Sequence, residues 1–178
     1  GYDIYSPQGK LLEFNMQEVT IPGRSTDTVR FTPFIYGTNA NKWEPGAKNP
    51  PLYKVMLFTR RDGAYREYMP LKIGFGKTEL VDGRLTRFDK ELKLVKAGYN
   101  AAADRKTTLA ELKTLKAKGN NTICPDYPQP GWFYDLCDEL GLYVIDCANI
   151  NAPEKRDDRK VGGTPSNDPS LADEYLER

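Results

Sequence analysis

The chain is 178 residues long and carries 26 basic residues, 25 acidic residues and no histidine. So even a balance, with no block of one sign, gives no electrostatic support for a nucleic-acid or anionic-membrane surface, and no apolar run approaches the ~20 residues that a bilayer span requires. Without histidine, Ser-His and Cys-His catalysis are excluded and an ordinary zinc site lacks its imidazole ligands.

The three cysteines, Cys124, Cys137 and Cys147, are odd in number and show no CxxC spacing. They read as small packing residues and leave the compartment unknown. The chain opens Gly1-Tyr2-Asp3, with no Met and no signal-peptide pattern, and is expected to be part of something longer.

Residues 1 to 83 read as all-β, in short runs rich in β-branched and aromatic residues separated by turn signals. Tyr2–Tyr5 is followed by the turn Ser6-Pro7-Gln8-Gly9 and by Lys10–Phe14; Val19–Ile21 stops at Pro22-Gly23; Thr28–Phe31 shows partial alternation. Leu52–Phe58 closes on Arg61-Asp62-Gly63, and Tyr65–Tyr68 and Leu71–Glu79 give two more strands. This pattern predicts an antiparallel immunoglobulin-like β-sandwich over residues 1–85, lacking a strand or two against the ~100 residues such a domain usually takes.

From Asp89 the pattern changes. Leu92–Val95 reads as a strand leading to polar Asn100, Thr108 and Glu111 have the spacing of a capping box, and Leu109, Leu112 and Leu115 mark the buried face of the helix that Gly119 ends. Asn121–Cys124 is a second short strand. Trp132, Phe133, Leu136, Cys137 and Leu140 then lie on one face of a 3.6-residue period, with Pro130 in the first turn and Gly141 at the C′ position. Leu142–Ile145 is apolar without alternation, as a strand buried on both faces is. It ends in Asp146, with Asn149 and Asn151 beyond. After a polar stretch to Asn167, Asp168-Pro169 reads as N-cap and N1 of a last helix running through Tyr175.

Strand-helix alternation of this kind predicts βαβ units and a parallel sheet. Residues 86–178 are therefore expected to be the first βαβαβ units of a (β/α)8 TIM barrel, incomplete because a whole barrel takes ~200–250 residues. Polar groups just past the C-terminal ends of parallel strands are where α/β folds place their chemistry. Leu142–Ile145 is expected to present an open apolar edge, the kind that invites self-association.

CPDYPQP followed by GWFYDLCDELGLYVIDCANI resembles a stretch of glycoside hydrolase family 2, the β-galactosidase group, whose pattern reads approximately SHYPxxPxWYxLCDxxGLYVxDEANIE. Further matches come in order: Lys42-Trp43-Glu44-Pro45 with Pro51-Leu52-Tyr53 is similar to the family's W-S-x-E-x-P-x-L-Y, and Ile73–Lys77 with Asp82-Gly83 is similar to its G-F-R-x-x-x-x-x-D-G. Gly98-Tyr99-Asn100 stands where the family has G-V-N. The resemblance implies a sandwich that braces a barrel, and a sugar bound at the C-terminal ends of the barrel strands. On that basis Asn100, Asp126, Tyr127, Asp146, Asn149 and Asn151 are the candidate substrate-binding residues.

The departures from the family fall on polar residues. Ala101-Ala102-Ala103 replaces R-H-E, Asp126 replaces the His of S-H-Y-P, and Gly76 replaces the Arg of G-F-R. The family's Mg²⁺ ligands correspond here to Asn151 and Pro153; an amide brings no charge and proline no ligand atom, so no cofactor is expected. Retaining hydrolysis needs two carboxylates ~5–5.5 Å apart, and the resemblance puts both glutamates beyond this chain. Asp146 reads as a structural acceptor for backbone N–H groups, with a pairing against Asp126 as the alternative.

Two functions follow. One is a fragment of a β-galactosidase-like glycosidase acting on O-glycosidic bonds, inactive by itself. The other is a non-catalytic carbohydrate-binding or structural descendant.

Overall fold

The computed structural model describes residues 1–100, 102–148 and 167–176, which fall into two units, Gly1–Lys93 and Leu94–Arg178. In the first unit β1 (Tyr2–Tyr5), β2 (Leu11–Asn15), β3 (Tyr53–Arg61) and β4 (Ala64–Ile73) form an antiparallel sheet in the order β2-β1-β3-β4. A second antiparallel sheet holds β5 (Thr78–Val81), β6 (Arg84–Arg87) and β7 (Lys90–Glu91). Two Asp-Gly pairs make the tight hairpins. Asp62 and Gly63 (φ 54° and 76°) and Asp82 and Gly83 (φ 49° and 75°) are both left-handed at both positions, the type I′ geometry whose twist matches that of the strands it joins.

One face of the larger sheet is the unit's core. Tyr2, Ile4 and Tyr53 are buried there, Tyr2 edge-on to Phe31 with centroids 5.0 Å apart and Tyr53 edge-on to Phe75 at 4.8 Å. On the opposite face a register shift between Thr59 and Arg60 turns Tyr65 to the same side as Tyr68, so that the two rings stack at 5.2 Å. Trp43 is buried beside Gly74, its N–H donating to the Phe75 carbonyl at 2.9 Å. The Arg87 guanidinium donates to the Trp43 carbonyl and to Thr78 Oγ1 (2.9 Å), and fills the space a Cβ on Gly76 would need.

Several strand expectations change. Val19–Ile21 and Thr28–Phe31 form no strand; strand propensity is largely a fit to a paired, half-buried surface, and these segments are mostly exposed. Tyr65–Tyr68 and Leu71 belong to one continuous strand that runs through Pro70, tolerated because β4 is an edge. Leu71–Glu79 breaks after Ile73 and resumes at Thr78.

In the second unit β8 (Lys96–Tyr99), α1 (Arg105–Ala117), β9 (Thr122–Pro125), α2 (Gly131–Leu140) and β10 (Tyr143–Val144) alternate, and the strands pair in parallel in the order β10-β9-β8. Leu112 from α1, Ile123 from β9, Phe133, Leu136 and Cys137 from α2, and Leu142 make the buried core. The first strand lies four residues later than Leu92–Val95. Val95 instead anchors the strand ends, its N–H donating to Asn121 Oδ1 (2.8 Å) and its carbonyl accepting from the Asn121 N–H (3.1 Å).

Helix α2 ends in a Schellman motif: the Leu142 N–H reaches the Cys137 carbonyl (2.8 Å), the Gly141 N–H reaches that of Asp138 (3.2 Å), and Gly141 takes φ 69°. Pro130 precedes the helix rather than sitting inside its first turn, and its carbonyl accepts from the Phe133 N–H at 2.8 Å. The ladder at the third strand is short, with Tyr143 and Val144 paired and the Ile145 N–H donating to the Ile123 carbonyl at 2.9 Å. Tyr143 and Val144 are only half-buried, so the strand is not covered on both faces as its apolar run suggested. At the far end the Asp168 carboxylate accepts from the Ser170 N–H (3.0 Å), opening a 3-10 turn at Pro169–Leu171 that leads into α3 (Ala172–Leu176).

The N-cap of α1 is Asp104, not Thr108. One Asp104 oxygen accepts from the Lys106 N–H (2.9 Å) and the Thr107 N–H (3.0 Å), and the other accepts from Thr107 Oγ1 (2.6 Å). Thr108 lies one turn in, fully buried. Those bonds, led by the one from the Thr107 side chain, hold the Asp104 carboxyl below its ordinary value of 3.8. A lowered folded value means stability present above the ordinary aspartate range and lost as pH falls through the lowered value. Asp104→Ala is expected to lower the melting temperature at pH 7 and to leave it almost unchanged near pH 2, whereas Asp104→Asn retains most of the cap; thermal melts at both pH values check this.

Candidate functional site

Three parallel strands deliver their following residues to one end of the sheet. After β8 come Asn100, whose residue is exposed, and Ala102, half-buried; after β9 come Asp126 and Tyr127, both exposed; after β10 comes Asp146. The main chain joins the first two: the Asp126 N–H donates to the Tyr99 carbonyl at 3.1 Å, and Asp126 is exposed at the strand end. Below them the Tyr99 hydroxyl is drawn onto α1, donating to Glu111 at 2.6 Å; burial first, and that carboxylate second, raise its titration above the usual tyrosine value.

Both carboxylate oxygens of Asp146 accept hydrogen bonds. Its Oδ2 accepts from the Tyr134 hydroxyl (2.8 Å) and its Oδ1 from the N–H of Cys147 (3.1 Å). Tyr134 in turn accepts from the Gln129 N–H at 2.9 Å. Burial raises the Tyr134 titration, and the bond to Asp146 adds to the rise, so the hydroxyl keeps its proton and remains a donor throughout the neutral range. The Gln129 side chain extends the network, its Oε1 accepting from the Ala102 N–H (2.8 Å) and its Nε2 donating to the Tyr127 carbonyl (2.6 Å).

Four of the six candidate residues, Asn100, Asp126, Tyr127 and Asp146, therefore meet at one end of the sheet. Asn149 and Asn151, together with Ala101 and Pro153, lie outside the described residues. Sequence reasoning missed Gln129 and Tyr134. Gln129 sits between two prolines and Tyr134 at an unconstrained position of the helix pattern, so neither carries a local signal. The cysteines divide rather than acting alike: Cys137 is a core residue whose thiol burial pushes up to about 12, while Cys147 is exposed beside Asp146. Among the described residues no three Asp, Glu, Cys or His side chains gather as a metal ion would need, and no helix is long and apolar enough to cross a membrane.

Residues 98–178 match a family model described as glycosyl hydrolases family 2, TIM barrel domain. A beta-galactosidase of Lactobacillus delbrueckii subsp. bulgaricus is 34% identical over 135 residues, which is 70% of this chain and 13% of the relative. A beta-galactosidase of Pseudoalteromonas haloplanktis is 32% identical over 152 residues, 79% of this chain and 14% of the relative. The chain thus spans about an eighth of the length of these curated relatives. Among solved structures, that of a putative beta-galactosidase from Bacteroides fragilis covers 98% of this chain and 26% of its own at a TM-score of 0.75 and 21% identity. A beta-glucuronidase from Parabacteroides merdae covers 80% of this chain and 18% of its own at a TM-score of 0.65 and 23% identity.

Proposed function

The chain belongs to glycoside hydrolase family 2, carrying part of that family's TIM barrel domain within a multidomain fold, and from this premise we propose that it is a piece of a β-galactosidase-like glycosidase whose sugar binds at the C-terminal ends of β8, β9 and β10. The observation that carries the proposal is the convergence of Asn100, Asp126 and Tyr127 at the end of a parallel sheet inside the segment that matches the family. Two exposed acceptors and a phenol suit the hydroxyls of a pyranose, and a carboxylate acceptor roughly doubles the strength of such a hydrogen bond.

In this reading the first unit is the immunoglobulin-like sandwich domain. The two catalytic glutamates of the retaining mechanism lie outside this chain, which by itself is inactive. No Mg²⁺ is held through Asn151 and Pro153. Copies of this chain self-associate through the third strand of the second unit, β10.

A second reading has its own observation. Alanine at 102 and 103, beside Asp126 in place of histidine, is what a scaffold would keep after losing its sugar site, and it favours a non-catalytic carbohydrate-binding or structural descendant. The intact gene product separates the two. Turnover of an aryl-β-galactoside or aryl-β-glucuronide, lost on Asp126→Ala with KM raised, is the expected result. Glycan binding without turnover would overturn the hydrolase reading in favour of the second.

A further inference from the structure

We propose that Gln129 and Tyr134 are positioning residues that tie the loops after β8, β9 and β10 into one frame, with Asp146 as its anchor and not a sugar ligand. Gln129 engages three of its polar groups, each with a different segment: Oε1 with the Ala102 N–H after β8 (2.8 Å), Nε2 with the Tyr127 carbonyl after β9 (2.6 Å), and its own N–H with Tyr134 on α2 (2.9 Å). Tyr134 passes the chain onward. Its oxygen is occupied as acceptor, so its proton goes to Asp146 Oδ2 after β10 (2.8 Å), and the second Asp146 oxygen is taken by the Cys147 N–H (3.1 Å). A hydroxyl that accepts one bond and donates the next is polarised by both, so the links strengthen one another.

The consequence is a division of labour between the two aspartates. Both oxygens of Asp146 already have donors and the carboxylate holds the loops, whereas the exposed Asp126 is left for a ligand. The inference rests on the glycosidase reading only in treating this end of the sheet as the binding end; the frame itself stands on the hydrogen bonds.

Amide hydrogen exchange followed by NMR on this chain tests it. Tyr134→Phe keeps the ring and removes only the hydroxyl, so a purely packing role would leave exchange unmoved. The frame predicts faster exchange at Gln129 and, more tellingly, at Ala102, which Tyr134 does not touch, by about five- to tenfold, the equivalent of one net hydrogen bond. Gln129→Ala should raise exchange at Ala102 alike, and the double variant should exceed neither single one, because coupled residues are non-additive. Gln129→Glu, which keeps the acceptor and loses the donor to Tyr127, should restore part of the Ala102 protection.

Slow exchange at Leu112 and Ile123 verifies that each variant is folded. Should Tyr134→Phe unfold the unit, Gln129→Ala and Gln129→Glu carry the test. An Ala102 amide indifferent to Tyr134→Phe in a folded chain, or effects that simply add, would overturn the proposal. If the frame holds while the intact gene product fails to hydrolyse any glycoside, the hydrolase reading falls and the frame does not.

Discussion

Phe133→Ala is expected to destabilise the second unit by about 3–5 kcal/mol, the range for truncating a fully buried phenylalanine. The ring is 0% exposed and sits where α2 meets the sheet, its centroid 5.3 Å from that of Tyr99 and edge-on to Tyr134 at 5.6 Å. The ring belongs to the buried cluster that runs from Leu112 to Leu142, with Tyr99, Trp132 and Tyr134 packed against it, so its removal leaves a space inside a packed core. At 0.05–0.15 kcal/mol per residue, a unit of this size holds about 4–13 kcal/mol in all, and the substitution removes a large share of it. Urea unfolding followed on the Ile123 and Leu112 methyl signals measures the change where it acts. A shift below ~1 kcal/mol would show that the site collapses freely and that the ring is not central to the core.

What the sequence disclosed and what it withheld divide by the range of the interactions. The glycine at 141 and the Asp-Gly pairs at 62–63 and 82–83 are backbone requirements that neighbours in the chain decide, and each appears where the residue type demands. The start of α1 shows how two local signals compete. Asp104 and the Thr108–Glu111 pair are both acceptable caps, and tertiary packing chooses between them. Thr108 is needed inside, fully buried, while Glu111 is claimed by the Tyr99 hydroxyl from the adjacent strand. The same holds for the site. That polar residues would follow the strands is legible from periodicity alone, but the partner of Asp146 is not. The bond from Tyr134 crosses from a helix to the end of the next strand, and the bond from Gln129 to Ala102 joins residues 27 positions apart.

In the first unit the corresponding weak point is Gly74, and Gly74→Ala is expected to cost about 1–3 kcal/mol through overpacking. A Cβ there would stand 2.6 Å from Trp43 Cγ, 2.7 Å from Cβ and 2.8 Å from Cδ1. These atoms are the root of the side chain, so rotating the indole does not clear them and the backbone must move. That backbone is held, since the Trp43 N–H donates to the Phe75 carbonyl (2.9 Å) one residue from the substitution, and the Arg87 guanidinium both lies over the ring (5.3 Å) and donates to the Trp43 carbonyl. Backbone conformation contributes nothing to the cost, because Gly74 does not have a positive φ. Gly23→Ala, where nothing lies within 4 Å of an added Cβ, is the neutral control. Thermal unfolding read by far-UV circular dichroism should separate the two substitutions. In a Trp43→Ala background the cost of Gly74→Ala should largely vanish, since residues in contact show their interaction as a coupling energy. An undiminished cost in that background would place the strain elsewhere than at the indole.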